Sequence, residues 1–260
     1  MNIEVAEDLA RSIVLFVIFL LSVREIKYRK DKLSMIFFAM AIASMFFSDV
    51  YWMTYDSMRP ETRMPFAANE ICEWSFFALL GTCLTINETF AFAEAKVQMV
   101  CAVIFSAANV ALWIGWSGEW LQDILTGAVL AYFLCALISK IVNEEAFTSW
   151  QWVFLGIDCV ILIIGQTLTF VFPEPLRSTI DFGCYILLFA TTIAFIARAI
   201  YTFGKKEEIG QGVCHAFASF AWVVITMYMS SGVYYQIAMA FSIVSFILMF
   251  LTLRREDAAV

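Results

Sequence analysis

The chain is expected to be all-α, a polytopic transmembrane helical bundle forming one domain over residues 1–260, with about nine spans and eight or seven as alternatives. Three observations predict this. Of the 260 residues 62% are hydrophobic and only 15% charged, with a mean hydropathy of +0.83, whereas soluble domains run near half apolar and a quarter charged. The charges gather in short runs such as Arg24 to Lys32 and Lys205 to Glu208. Between the runs lie apolar stretches of about 18 to 25 residues, the length of helix that crosses roughly 30 Å of hydrocarbon.

In chain order the spans fall at about 9–27, 33–54, 65–93, 97–116, 119–140, 150–172, 178–200, 213–229 and 233–253. The first follows the acidic stretch Met1 to Asp8, not a basic n-region, and no small-residue cleavage site comes after it. It is therefore read as a retained helix, not a signal peptide. The last two are divided on length: residues 211–253 carry no charge, and a single helix of that length would measure about 64 Å, twice the bilayer thickness. Ser230-Ser231-Gly232 is the natural break.

Orientation follows from Lys and Arg, because acidic residues contribute little to the rule. With the amino terminus outside, the inner set is Arg24, Lys27, Arg29, Lys30, Lys32, Lys96, Lys140, Arg198, Lys205, Lys206, Arg254 and Arg255, against Arg11, Arg59, Arg63 and Arg177 outside. Twelve against four predicts N-outside and C-inside, in a cell (plasma or inner) membrane. Trp52, Trp113, Trp116 and Trp120 then fall near the outer boundary and Trp150 and Trp152 near the inner one, as interfacial belts.

Several functions are excluded by what the chain lacks. There is no basic stripe interleaved with aromatics, so nucleic acid is not an expected partner. The seven cysteines form no CxxC pair and lie within or at the edges of apolar spans, as small buried hydrophobes do. His215 is the only histidine and cannot by itself build a haem or zinc site; a helix-end or interface role is expected. No HExxH, GxSxG, P-loop or dinucleotide fingerprint is present, and no cofactor is expected.

The informative residues are carboxylates inside spans, each costing several kcal/mol at the membrane centre unless paired, hydrated or protonated. Asp49 lies well into the second span with Trp52 and Asp56 on the same stripe. Asn69, Glu70 and Glu73 share a face of the third. By helical rise Glu73 sits roughly 12 Å below Pro65, and Asp158 roughly 12 Å from Trp150 on the opposite side. With Asp123 and Asp181 they outline an acidic group weighted toward the outer half, where Tyr51, Tyr55, Trp74, Asn109 and Gln166 add hydroxyl, indole and amide groups. The expected ligand-binding set is Asp49, Tyr55, Glu70, Glu73, Trp74, Asn109, Asp158, Gln166 and Asp181. Carboxylates beside aromatic faces suit a small cation, through ion pairing and cation–π attraction. The bland reading of the same residues is structural: buried carboxyls protonated and hydrogen-bonded to neighbouring helices, or paired with Arg59, Arg63 or Arg177.

The stretch Glu70-Ile71-Cys72-Glu73-Trp74 resembles the acidic residue and tryptophan of the third helix in microbial rhodopsins. Every lysine, however, at Lys27, Lys30, Lys32, Lys96, Lys140, Lys205 and Lys206, lies in a loop or at a helix end. None is placed for a retinal Schiff base, so the chain is not assigned to that family.

The expectation is a receptor- or sensor-like bundle that takes a small cationic ligand from the non-cytoplasmic side. A small proton- or cation-coupled permease is the first alternative, and an intramembrane enzyme or a membrane subunit of a larger complex the second. Carriers bind at helices interrupted near midspan by Gly or Pro, whereas all four prolines here fall in or beside outer loops. Only five residues follow Arg255, so a sensor would act through a separate cytoplasmic signalling partner. The remaining expected partner is the lipid bilayer.

Overall fold

The computed structural model describes residues 3–29, 32–58, 68–205 and 208–259. The loop bearing Arg59, Arg63 and Pro65, together with Lys30, Lys206, Glu207 and the Asp56 side chain, lies outside the described residues. Nine helices make up almost all of the rest: α1 (Ile3–Ile26), α2 (Lys32–Met58), α3 (Ala68–Thr85), α4 (Lys96–Ser117), α5 (Trp120–Asn143), α6 (Ser149–Val171), α7 (Leu176–Phe203), α8 (Ile209–Met229) and α9 (Gly232–Ala259). Continuous helices satisfy their own N–H and C=O groups, which hydrocarbon cannot do for them. The α8–α9 break falls where expected, with Ser230 extended and Gly232 at φ 57°, a left-handed conformation open to glycine. The third helix is shorter than its apolar run. Beyond Thr85, Asn87 donates to Ser34 Oγ at 2.9 Å and Glu88 is engaged by Lys140 and Asn143, so these polar residues serve neighbouring elements instead of extending the helix.

Seven helices, α2 and α4 to α9, are long and apolar enough to cross a membrane, and the chain is a multi-pass helical bundle. The other two, α1 and α3, carry Glu7, Asp8 and Arg11, and Asn69, Glu70 and Glu73.

Eight helices form a ring around α8. They run α1, α2, α3, α5, α4, α6, α7 and α9, with α9 returning to α1, while α8 packs on α5, α7 and α9 within. Every α8 residue from Gly212 to Thr226 is buried. Phe220 of α8 centres an aromatic core with Phe76 of α3 (ring centroids 5.3 Å), Phe246 of α9 (4.9 Å) and Phe133 of α5 (6.4 Å). Lipid supplies no hydrophobic drive between helices, so close approach and polar contacts hold the bundle. Ser219 and Ser245 hydroxyls meet at 3.0 Å across α8 and α9. At Gly127 of α5 a Cβ would lie 2.0 Å from Val110 Cγ2 of α4, so the pair needs glycine there. The outer side of α6 presents Phe154, Ile157 and Ile161, exposed as lipid-facing residues are.

The bundle has two ends. The N face carries the start of α1 and the α8–α9 turn; the C face carries the ends of α5 and α9.

Candidate functional site

On the N face, Arg11 of α1 meets Asp49 of α2 through a two-pronged contact, Nε to Oδ2 at 2.8 Å and Nη2 to Oδ1 at 2.5 Å. Arg11 is 4% exposed and Asp49 fully buried. A guanidinium fork on both carboxylate oxygens is the strongest geometry available to such a pair, and it gives the buried Asp49 its partner. Asp49 therefore joins α1 to α2, and its partner is a residue that sequence reasoning placed only in the outer charge set.

One helical turn deeper than Glu70, Glu73 of α3 accepts hydrogen bonds from Ser48 Oγ at 3.2 Å and from the Tyr228 hydroxyl at 3.1 Å. Three helices, α2, α3 and α8, thus converge on one carboxylate. It lines a cavity of 370 Å³ together with Glu7, Asp8, Arg11, Glu70, Trp52 and Tyr235. Among the described residues four carboxylates line this space with one guanidinium, whose Nε and Nη2 are engaged by Asp49. Asn69, 3% exposed, also lines the cavity, and its Oδ1 has no hydrogen-bond partner among the described residues.

The expected set does not gather in one place. Asn109, Gln166 and Asp181 line a second N-face cavity of 130 Å³, between α4, α6, α7 and the α8–α9 turn, with Trp113, Arg177 and Ser230. Gln166 Nε2 donates to Asp181 Oδ1 at 3.4 Å. Tyr228 lines both cavities and separates them, its hydroxyl on Glu73 and its ring 4.9 Å from that of Trp113. Trp113 is 6% exposed and so turned inward, while Trp116, Trp120 and Trp150 stand exposed as belt residues do.

Three further expected residues line none of these spaces. Trp74 donates its indole N–H to Thr126 Oγ1 at 2.9 Å and so ties α3 to α5. Tyr55 stacks on Tyr51 (6.5 Å) near the end of α2. Asp158 is half-buried on the α6–α7 side and accepts from Thr191 at 2.9 Å, away from Glu73. His215 is fully buried, its ring against Phe147 and Phe195 and its Nδ1 2.7 Å from the Gln211 carbonyl.

A larger cavity of 590 Å³ opens between α4 and α6, but its lining is apolar, with Phe105, Leu134 and Ile163 typical, and it offers no charged group for chemistry. Among the described residues no cluster of His, Cys, Asp and Glu is placed to hold a metal ion. No family model, curated protein or solved structure matches the chain.

Proposed function

We propose that the chain is a membrane receptor or sensor that binds a small organic cation in the N-face cavity, with Glu73 as the principal counter-charge and Glu70 beside it. One observation carries the reading: a 370 Å³ space lined, among the described residues, by the carboxylates of Glu7, Asp8, Glu70 and Glu73 and by the Arg11 guanidinium, two of whose nitrogens are held by Asp49. A cation entering it relieves the mutual repulsion of the acids, and Trp52 and Tyr235 offer π faces to the same charge. The lysine and arginine asymmetry orients this face away from the cytoplasm, and the signal passes to a separate cytoplasmic partner. A permease is the weaker reading. It requires access from both faces, whereas the helices run unbroken and the C face is tied shut by the Lys140 ion cluster.

The experiment is equilibrium binding of methylammonium and larger amines to the purified chain in nanodiscs. Glu73→Gln keeps the size and removes the charge, and weakens binding at least tenfold, about 1.4 kcal/mol; Asp158→Asn leaves it unchanged. Equal binding by both variants sinks the proposal. Saturable uptake into proteoliposomes, lost in Glu73→Gln, would turn the receptor into a carrier.

A further inference from the structure

We infer that the 130 Å³ cavity is a second and separate binding site, one that takes a zwitterion of the size of glycine or alanine. The starting point is a coincidence of incomplete polar groups. Asn109 Oδ1, Trp113 Nε1 and Ser230 Oγ are each buried without a hydrogen-bond partner among the described residues, and all three residues line this one cavity. Native interiors seldom leave such atoms unsatisfied, and a group of them in one space marks a place where a guest completes the bonding.

The geometry restricts the guest. Asn109, 1% exposed, spends its amide on the Phe105 carbonyl at 2.8 Å, which leaves its oxygen as the end that faces a ligand. The Trp113 indole can only donate. The cavity therefore offers a fixed acceptor and a fixed donor, with the Ser230 hydroxyl able to serve either way. Charges of both signs join them. Asp181 and Arg177 sit four residues apart at the start of α7, on one helical face, and both line the space. A ligand with an ammonium toward Asp181 and Asn109, and a carboxylate toward Arg177 and Trp113, answers every group. A simple amine leaves the buried Trp113 donor unanswered, and a simple carboxylate leaves the buried Asn109 acceptor.

Size completes the argument. At roughly 30 Å³ per water-sized group the space holds about four such groups, which sets glycine as the natural guest and alanine as the upper limit of size. Leu112 and Phe170 add apolar lining. The site is also distinct from the acidic cavity, since Tyr228 stands between them with its hydroxyl committed to Glu73.

The test is binding of radiolabelled glycine to the full chain in nanodiscs, with tryptophan fluorescence as a second readout because Trp113 and Trp116 line the cavity. Saturable binding is expected, displaced by alanine and not by methylammonium or acetate. Asp181→Asn weakens it at least tenfold, and Trp113→Phe, which keeps a ring and removes only the N–H donor, weakens it severalfold with an unchanged melting temperature. Glu73→Gln leaves it within about twofold, so this site stands or falls independently of the amine site. Absence of saturable glycine and alanine binding, or equal binding in Asp181→Asn and Trp113→Phe, would mean that the cavity holds water only. Displacement by methylammonium as effective as by alanine would make it an annex of the acidic cavity and overturn the assignment.

Discussion

The two ends of the bundle both bury charge, and they use it in opposite ways. On the C face Lys140, 6% exposed, meets Glu144 at 3.1 Å, Glu256 at 2.8 Å and Glu88 as well. Asn143 donates to the second oxygen of Glu88 at 3.1 Å and to the Thr89 carbonyl at 3.0 Å. Arg29 reaches the Leu253 carbonyl at 3.1 Å and Arg255 the Phe203 carbonyl. These contacts tie the ends of α5, α7 and α9 to the loops after α1 and α3. On the N face Arg11 pairs with Asp49, and around them lie two cavities lined by carboxylates and by Asn69, Asn109 and Trp113, each with a buried polar atom that has no hydrogen-bond partner among the described residues. Similar side chains thus tie helix ends together on one face and line cavities on the other.

That contrast can be broken experimentally. The largest effect belongs to Lys140→Met, which leaves three carboxylates facing one another without a counter-charge and costs about 3–5 kcal/mol. Thermal unfolding in detergent should show this loss, while the folded fraction binds amine as the parent does. If Glu73→Gln destabilises as much as Lys140→Met, the two ends do not differ in kind. Next comes the closed pair of the N face. Arg11→Met strands Asp49 and costs about 3 kcal/mol, whereas the double change with Asp49→Leu recovers most of it, because apolar replacement of a whole buried pair is near neutral. A double mutant no more stable than the single would show that Arg11 acts through something other than Asp49.

A smaller effect sharpens the division between the two N-face cavities. Gly127→Ala pushes a methyl into Val110 of α4 and costs about 1–3 kcal/mol. Since α4 carries Asn109 and Trp113, glycine binding should weaken while amine binding at Glu73 holds. Gly156→Ala, where an added Cβ meets nothing within 4 Å, is the silent control. The smallest change is Ser219→Ala, which removes one interhelical hydroxyl contact and costs about 0.6 kcal/mol; a loss several times larger would make the Ser219–Ser245 pair a principal tie of α8.

Much of the architecture was legible because a bilayer converts length and charge into structure. Runs of charge marked helix ends, and Ser230-Ser231-Gly232 marked a turn that length alone demanded. Glu70 and Glu73 were read on the same grounds, as acids on one face of a helix, and both line the 370 Å³ cavity. What periodicity cannot supply is the order of helices around the ring. It gives the depth and face of a residue but not its neighbour, so Asp49 was read without Arg11, which lies 38 residues away. For the same reason Asp181, Gln166 and Asn109 were grouped with Glu73, although α5 stands between α3 and α4 and Tyr228 closes the gap. Trp113 had the depth of a belt residue; its inward direction depends on α4 being turned toward Tyr228. Lys140 was placed at a helix end; of its three carboxylates Glu144 is the i+4 neighbour that local spacing offers, whereas Glu88 after α3 and Glu256 at the end of α9 are contacts that no local pattern encodes.

The position of α8 bears on how the protein is made. Helices emerge from the ribosome in chain order, yet the one at the centre of this ring is eighth, and the seam between α1 and α9 joins the first helix to the last. Until α8 and α9 have both arrived, the first seven can form only an open crescent, and Glu73 waits without the Tyr228 hydroxyl that it later accepts. The turn at Gly232 lets α8 and α9 enter as one hairpin, so that axle and closing wall are delivered in a single step.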